Sequence, residues 1–196
     1  MRSSHVGSFP LDYSFQNVKK VLEDLAFLGV DVPPYPQLRG FIDIYVSLLI
    51  EAGAVMYVEG FMRVNLEVLS TQVIKNLRVP EAEFSIRLMR ESGLVFSGLR
   101  APVTGFFTLA SRLYLKTGST DLSSTVLASK ELVKDFLSDY VARFVKYLTS
   151  LGFSIVFLDE PFLGVMISSR KNLFSYSDDE IIKILENIAA VAEELK

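Results

Sequence analysis

The chain of 196 residues contains no cysteine, which excludes disulfides, cysteine-ligated zinc and a thiol nucleophile from its own resources. It has a single histidine, His5, so imidazole-based metal sites and general-base chemistry are equally restricted. Charge is nearly balanced at a net -3, with no long basic or acidic run, and the totals point neither to nucleic acid nor to a membrane surface. No stretch is apolar enough to read as a membrane span. The most apolar one, residues 41–58, carries Asp43, Glu51 and Gly53. The first residues, Met1-Arg-Ser-Ser-His-Val-Gly, lack the apolar core of a signal peptide, so the expectation is a soluble, cytoplasmic protein.

What is present is half hydrophobic, with a positive mean hydropathy that predicts apolar surface covered by a partner. The length suits one core. Ile155-Val-Phe-Leu-Asp-Glu-Pro-Phe-Leu-Gly164 organises the rest. Its apolar run reads as a parallel strand covered on both faces, stopped by Pro161, which has no N–H for a ladder. Asp159 and Glu160 then stand at its C-terminal end, where barrels of alternating strands and helices collect their chemistry. The same run also reads as a buried strand whose aspartate merely starts a turn.

Residues 3–10 read as a first strand. Ser14 is placed to cap a helix carrying Val18, Val21, Leu22, Leu25 and Leu28 on one face, with Gly29 at its end. Val32-Pro-Pro-Tyr-Pro-Gln-Leu38 reads as a stiff connection, residues 41–52 as a helix and 54–58 as a second strand ending at Glu59-Gly60. A further helix opens at Pro80 and closes at Gly93. Residues 99–105 read as a third strand feeding a helix over 106–115. The polar loop 117–125 precedes the strongest helical period in the chain, over 130–151. Ser177-Asp-Asp-Glu180 is a capping box for a last helix with Ile181, Ile182, Leu185, Ile188, Ala189 and Ala192 inward. Four strand–helix units with a helical insertion predict an α/β fold with parallel strands, a single domain over 1–196. Four units are half of an eight-stranded barrel, which usually takes about 250 residues.

His5-Val-Gly-Ser-Phe-Pro10, Tyr35-Pro-Gln-Leu38, Ala101-Pro-Val-Thr-Gly-Phe-Phe-Thr-Leu-Ala110 and Phe157-Leu-Asp-Glu-Pro-Phe162 together resemble, in order and spacing, the catalytic barrel of cobalamin-independent methionine synthases. The resemblance covers the N-terminal half of that barrel. It implies methyl transfer, from a methylated folate or another donor, to homocysteine sulfur held on zinc. It implies that Val6, Gly7 and Ser8 contact the amino acid through backbone and hydroxyl, and that Asp159 takes its ammonium group. Thr104 either lines the pocket or belongs only to a turn. The family's Gly-Glu pair is replaced by Gly60-Phe61, which leaves Glu59 as the candidate substitute. Arg112 stands at an aromatic folate-stacking position, and Val165 near a second acidic one. The family's zinc ligands, a His, a Glu and two Cys, belong to the half of the barrel that would follow this chain. Zinc is therefore expected only from a partner chain.

Two functions follow as expectations. One is a methyltransferase component completed by a complementary half-barrel chain. The other is a non-catalytic, self-pairing paralogue that binds a small amino acid or a methyl-donor protein. A relative of uroporphyrinogen decarboxylase, which shares the barrel but not the Asp-Glu-Pro context, ranks behind both.

Overall fold

The computed structural model describes residues 2–69, 76–168 and 173–193. The first helix, α1 (Phe15–Phe27), forms where the sequence places it. Ser14 stands extended before it and accepts the Asn17 N–H at 3.1 Å, and Val18, Val21, Leu22 and Leu25 are buried. α2 (Asp43–Glu51) follows and buries Ile44, Tyr45, Val46 and Leu49.

The expected second strand is where sequence and structure part. Residues 55–58 form β1 (Val55–Val58), which turns back through Glu59-Gly60 to pair antiparallel with β2 (Phe61–Val64). Both turn residues have positive φ, 51° and 84°, the signature of a two-residue hairpin. α3 (Pro80–Glu91) starts at its proline as read. β3 (Arg100–Thr104) leads into α4 (Phe106–Ala110), which is shorter than expected because the chain turns at Ser111-Arg112 into β4 (Leu113–Tyr114), parallel to β2. The hairpin and β4 thus make a small sheet of their own.

A π-helical turn over Leu132–Leu137 runs into α5 (Ser138–Leu151), which Gly152 ends in the left-handed region at φ 104°. β5 (Ile155–Asp159), α6 (Pro161–Ser168) and α7 (Asp178–Glu193) complete the order. At α7 the capping box is real. Ser177 N–H donates to Glu180 at 2.9 Å, and Glu180 N–H donates to the Ser177 hydroxyl oxygen at 3.2 Å. Ile182, expected inward, is exposed, and Ile184 takes the buried place.

The second parallel segment is the proline-rich stretch itself. β3 pairs with β5 in register from Arg100↔Ile155 to Thr104↔Asp159. On its other side Tyr35 N–H donates to the Arg100 carbonyl at 3.0 Å, and Arg100 N–H to the Pro33 carbonyl at 2.9 Å. That stretch in turn bonds the N-terminal segment: Val32 N–H to Ser3 at 3.0 Å and Gln37 N–H to Gly7 at 2.8 Å. Pro33, Pro34 and Pro36 have no N–H to give, so Val32, Tyr35 and Gln37 supply the donors. Residues 3–9, 32–37, 100–104 and 155–159 therefore lie side by side, parallel and in chain order.

One face of this sheet is packed. Ala101 and Val103 are buried, and Val156 and Leu158 line an apolar groove of about 550 Å³ with Val145 and Thr149 of α5 and Leu185 and Ile188 of α7. The other face is open at its β5 edge, where Phe157 is 47% exposed, while Ile155, at the start of the strand, is 46% exposed and borders the groove. β5 is therefore covered on one face, not on both as its unbroken apolar run suggested. Among the described residues, no helix is long and apolar enough to cross a membrane.

Candidate functional site

The C-terminal ends of β3 and β5 finish together. Thr104 stands opposite Asp159, and Gly105 N–H donates to the Asp159 carbonyl at 2.8 Å. Asp159 is exposed, its side chain on the open face by alternation with Phe157. Thr104 is buried, and its hydroxyl donates to the Phe41 carbonyl at 2.8 Å, which ties the strand end to the chain before α2. The hydroxyl proton is engaged in that tie, and the oxygen keeps its acceptor lone pairs.

Glu160 has a part that its place in the sequence does not announce. Its carboxylate accepts Phe107 N–H at 3.0 Å, Thr108 N–H at 2.7 Å and the Thr108 hydroxyl at 2.5 Å, so β5 is clamped to the first turn of α4. Its pKa is raised to about 7: burial pushes it up most, the hydrogen bonds from Thr108 and Phe107 pull it down, and the Asp159 charge beside it adds a smaller rise. Gly105 is required here, because a Cβ on it would collide with the Glu160 carboxylate. Thr108 also accepts Phe162 N–H at 3.3 Å, linking α4 to α6.

The Val6-Gly7-Ser8 stretch is held by Arg100. Its guanidinium donates to the Val6 carbonyl at 2.7 Å and to the His5 carbonyl, and lies 5.1 Å from the centre of the Phe157 ring. Burial lowers the Arg100 pKa and Asp159 raises it, so the two charges sense one another along the open face. Gly7 is buried at φ 124°, and a Cβ there would lie 3.2 Å from Pro102 and 3.5 Å from Pro34. Only glycine fits. Val6 offers its carbonyl inward and leaves its side chain 70% exposed, while Ser8 is exposed beside Gln37. His5 is a structural neighbour: its Nδ1 accepts Gly7 N–H at 3.2 Å and its ring stacks on Phe9 at 4.8 Å.

Glu59 lies in the exposed hairpin turn, in a different sheet from the one carrying Asp159. Phe61, at the position where the resemblance has a glutamate, packs edge-on against Tyr114 at 4.8 Å. Arg112 is exposed in the turn after α4, and Val165 is 46% exposed on α6. The structure thus collects Asp159, Glu160, Thr104 and Thr108 at one end of the sheet. It sets Val6, Gly7 and Ser8 on the outermost segment and leaves Glu59 in the hairpin.

Arg100 and Thr108 were missed from sequence. A charged residue opening an otherwise apolar strand was the available signal for Arg100, whereas Thr108 becomes visible only once Glu160 is folded onto it. Among the described residues no three His, Cys, Asp or Glu side chains are grouped to hold a metal ion, and without cysteine the chain has no thiolate for a zinc site of the methionine-synthase type. Comparison with protein-family models, with curated proteins and with solved structures finds no match.

Proposed function

We propose that this chain is a half barrel of the methionine-synthase type that holds a small amino acid at the C-terminal ends of its parallel strands. The observation that carries the reading is the run of four parallel segments in chain order, ending with an exposed carboxylate, Asp159, at the strand end. That is the end at which strand–helix barrels bind and react. In this reading Asp159 accepts the ammonium group of the amino acid, and the Ser8 hydroxyl, presented by the Val6-Gly7-Ser8 backbone, donates to its carboxylate. Glu160 and Arg100 act behind them, fixing the strand end and the Val6-Gly7-Ser8 backbone.

In its catalytic form such a half barrel positions homocysteine sulfur in line with a donated methyl group. The thiolate pair forms the new S–CH3 bond, while the donor N–CH3 bond breaks with its pair toward nitrogen, which takes up a proton. Zinc, supplied by a partner chain, would hold the sulfur as thiolate at neutral pH. The second reading is a non-catalytic, self-paired amino-acid-binding protein. The position of Glu59 in the hairpin and the packing of Phe61 on Tyr114 favour it.

Native mass spectrometry of the protein isolated gently from its own host, with L-methionine or L-homocysteine added, tests the reading. An amino-acid adduct is expected. A heteromer carrying about one zinc per pair identifies the methyltransferase form, and a metal-free homodimer the self-paired form. Failure to retain either amino acid overturns the reading.

A further inference from the structure

The parallel sheet has two bare edges, and they are complementary. Among the described residues β5 pairs with β3 alone, and the 3–9 segment has the 32–37 stretch as its only strand-like partner. Each edge presents unpaired backbone groups, which folded proteins cover or close. Both edge segments run in the same direction. A half-turn about an axis along the strands therefore places β5 of one copy beside the 3–9 segment of another, parallel, at both seams. Four segments from each copy make eight, the number at which side chains fill a closed barrel. Two identical copies achieve this with no third component, since each carries both complementary edges, and twofold pairing is the commonest symmetry of oligomers.

The surfaces that closure would turn inward combine exposed apolar side chains with the Arg100 and Asp159 charges. Phe157 is about half exposed on the face that would become the barrel interior, and Ile155, equally exposed at the start of the strand, borders the helix-side groove. On the helix side, the groove floored by Val156 and Leu158 follows β5, and a strand laid on that edge would supply its missing wall.

Closure also resolves a difficulty of distance. Within one chain Ser8 and Asp159 sit on the outermost segments, three strand spacings of about 4.8 Å apart, or roughly 14 Å along the sheet. The ammonium and carboxylate of one amino acid branch from a single carbon. Across a seam, Asp159 of one copy and Ser8 of the other stand on neighbouring strands, one lateral spacing of about 5 Å apart plus the register step between those strands.

We infer that two copies of this chain close into one eight-stranded barrel, β5 of each bonded to the 3–9 segment of the other, so that each amino-acid site is built from Asp159 of one copy and Ser8 of the other. The inference rests on the amino-acid-binding reading above and selects its self-paired form.

Complementation between variants is the test. Sedimentation equilibrium should give a dimer for the wild-type chain and a monomer with unchanged far-UV circular dichroism for Phe157→Glu. Asp159→Ala and Ser8→Ala homodimers should each bind L-methionine at least tenfold more weakly than wild type. Heterodimers of the two variants, co-expressed with different tags, should regain one site of wild-type affinity per dimer, because one seam then carries both native residues. A wild-type monomer that still binds L-methionine overturns the pairing and leaves the amino-acid reading standing. A heterodimer that regains no site overturns the composite site. A dimer that binds neither L-methionine nor L-homocysteine overturns the composite site together with the amino-acid reading.

Discussion

The Glu160 carboxylate holds Thr108 twice, by its N–H at 2.7 Å and by its hydroxyl at 2.5 Å, across 52 residues of chain. This clamp joins the end of β5 to the start of α4 and fixes the backbone on which Asp159 stands. Replacing Glu160 by Ala leaves the Phe107 and Thr108 N–H groups without their acceptor. The expected loss of stability is about 2–4 kcal/mol, read from urea denaturation, since a buried donor left unpaired costs about 1–3 kcal/mol.

The same group gives a pH dependence of definite sign. Its folded pKa, about 7, lies above the ordinary carboxyl value, so the folded state holds a proton that the unfolded chain releases. Its contribution to stability is complete below the unfolded pKa, about 4.3, and declines as pH rises through 7, by on the order of 3 kcal/mol. Glu160→Gln should remove this slope between pH 4.5 and 7 in denaturation midpoints. A slope unchanged in the variant would assign the titration elsewhere.

Gly7 is expected to tolerate no side chain. At φ 124°, with Pro102 3.2 Å from a built Cβ, Gly7→Ala should cost about 1–3 kcal/mol in thermal or urea unfolding. A neutral effect would mean that the N-terminal segment is not held against the proline stretch.

Tyr45 supplies a bond that the prolines cannot. Its hydroxyl donates to the Pro102 carbonyl at 2.7 Å and lies 3.0 Å from the Tyr35 hydroxyl, and burial raises both tyrosine pKa values, that of Tyr35 to about 12. Tyr45→Phe should destabilise by about 1–2 kcal/mol, as expected for a lost buried bond to a carbonyl. Phe at this position should leave the secondary structure seen by circular dichroism unchanged.

Arg39 pairs with the fully buried Glu81 through two bonds, at 2.6 and 2.8 Å. Removing the guanidinium strands a buried carboxylate, so Arg39→Ala should cost about 3–5 kcal/mol. Replacing both residues together, Arg39→Met with Glu81→Leu, should recover most of that loss.

The helices were legible because their signals are local. Ser14, the Ser177–Glu180 box and Gly152 each act within a few residues, and the structure places a cap or stop at all three. The strands were less so. Val32–Leu38 reads as a connector because prolines lower strand propensity, yet three of its donors, those of Val32, Tyr35 and Gln37, satisfy two neighbouring segments. Residues 55–58 have strand propensity without saying which sheet they join, and the Glu59-Gly60 turn, not the strand, decides it. The exposed face of β5 was invisible for the opposite reason: an unbroken apolar run looks the same whether its second face is covered by its own chain or by another. For the site, Asp159 falls where its strand end dictates, whereas Glu59 was carried by the resemblance alone and lies in the hairpin.

The most direct test of the account is the calorimetric titration of wild-type protein and the Asp159→Ala variant with L-homocysteine and L-methionine. Asp159 is exposed, so its loss should leave the fold intact. The account predicts a saturable site in the wild type that weakens by about thirtyfold or more in the variant, the cost of removing one partner of a bound charge pair, about 2 kcal/mol or more. Equal affinities in the two proteins would contradict it, and so would a wild type that binds neither amino acid.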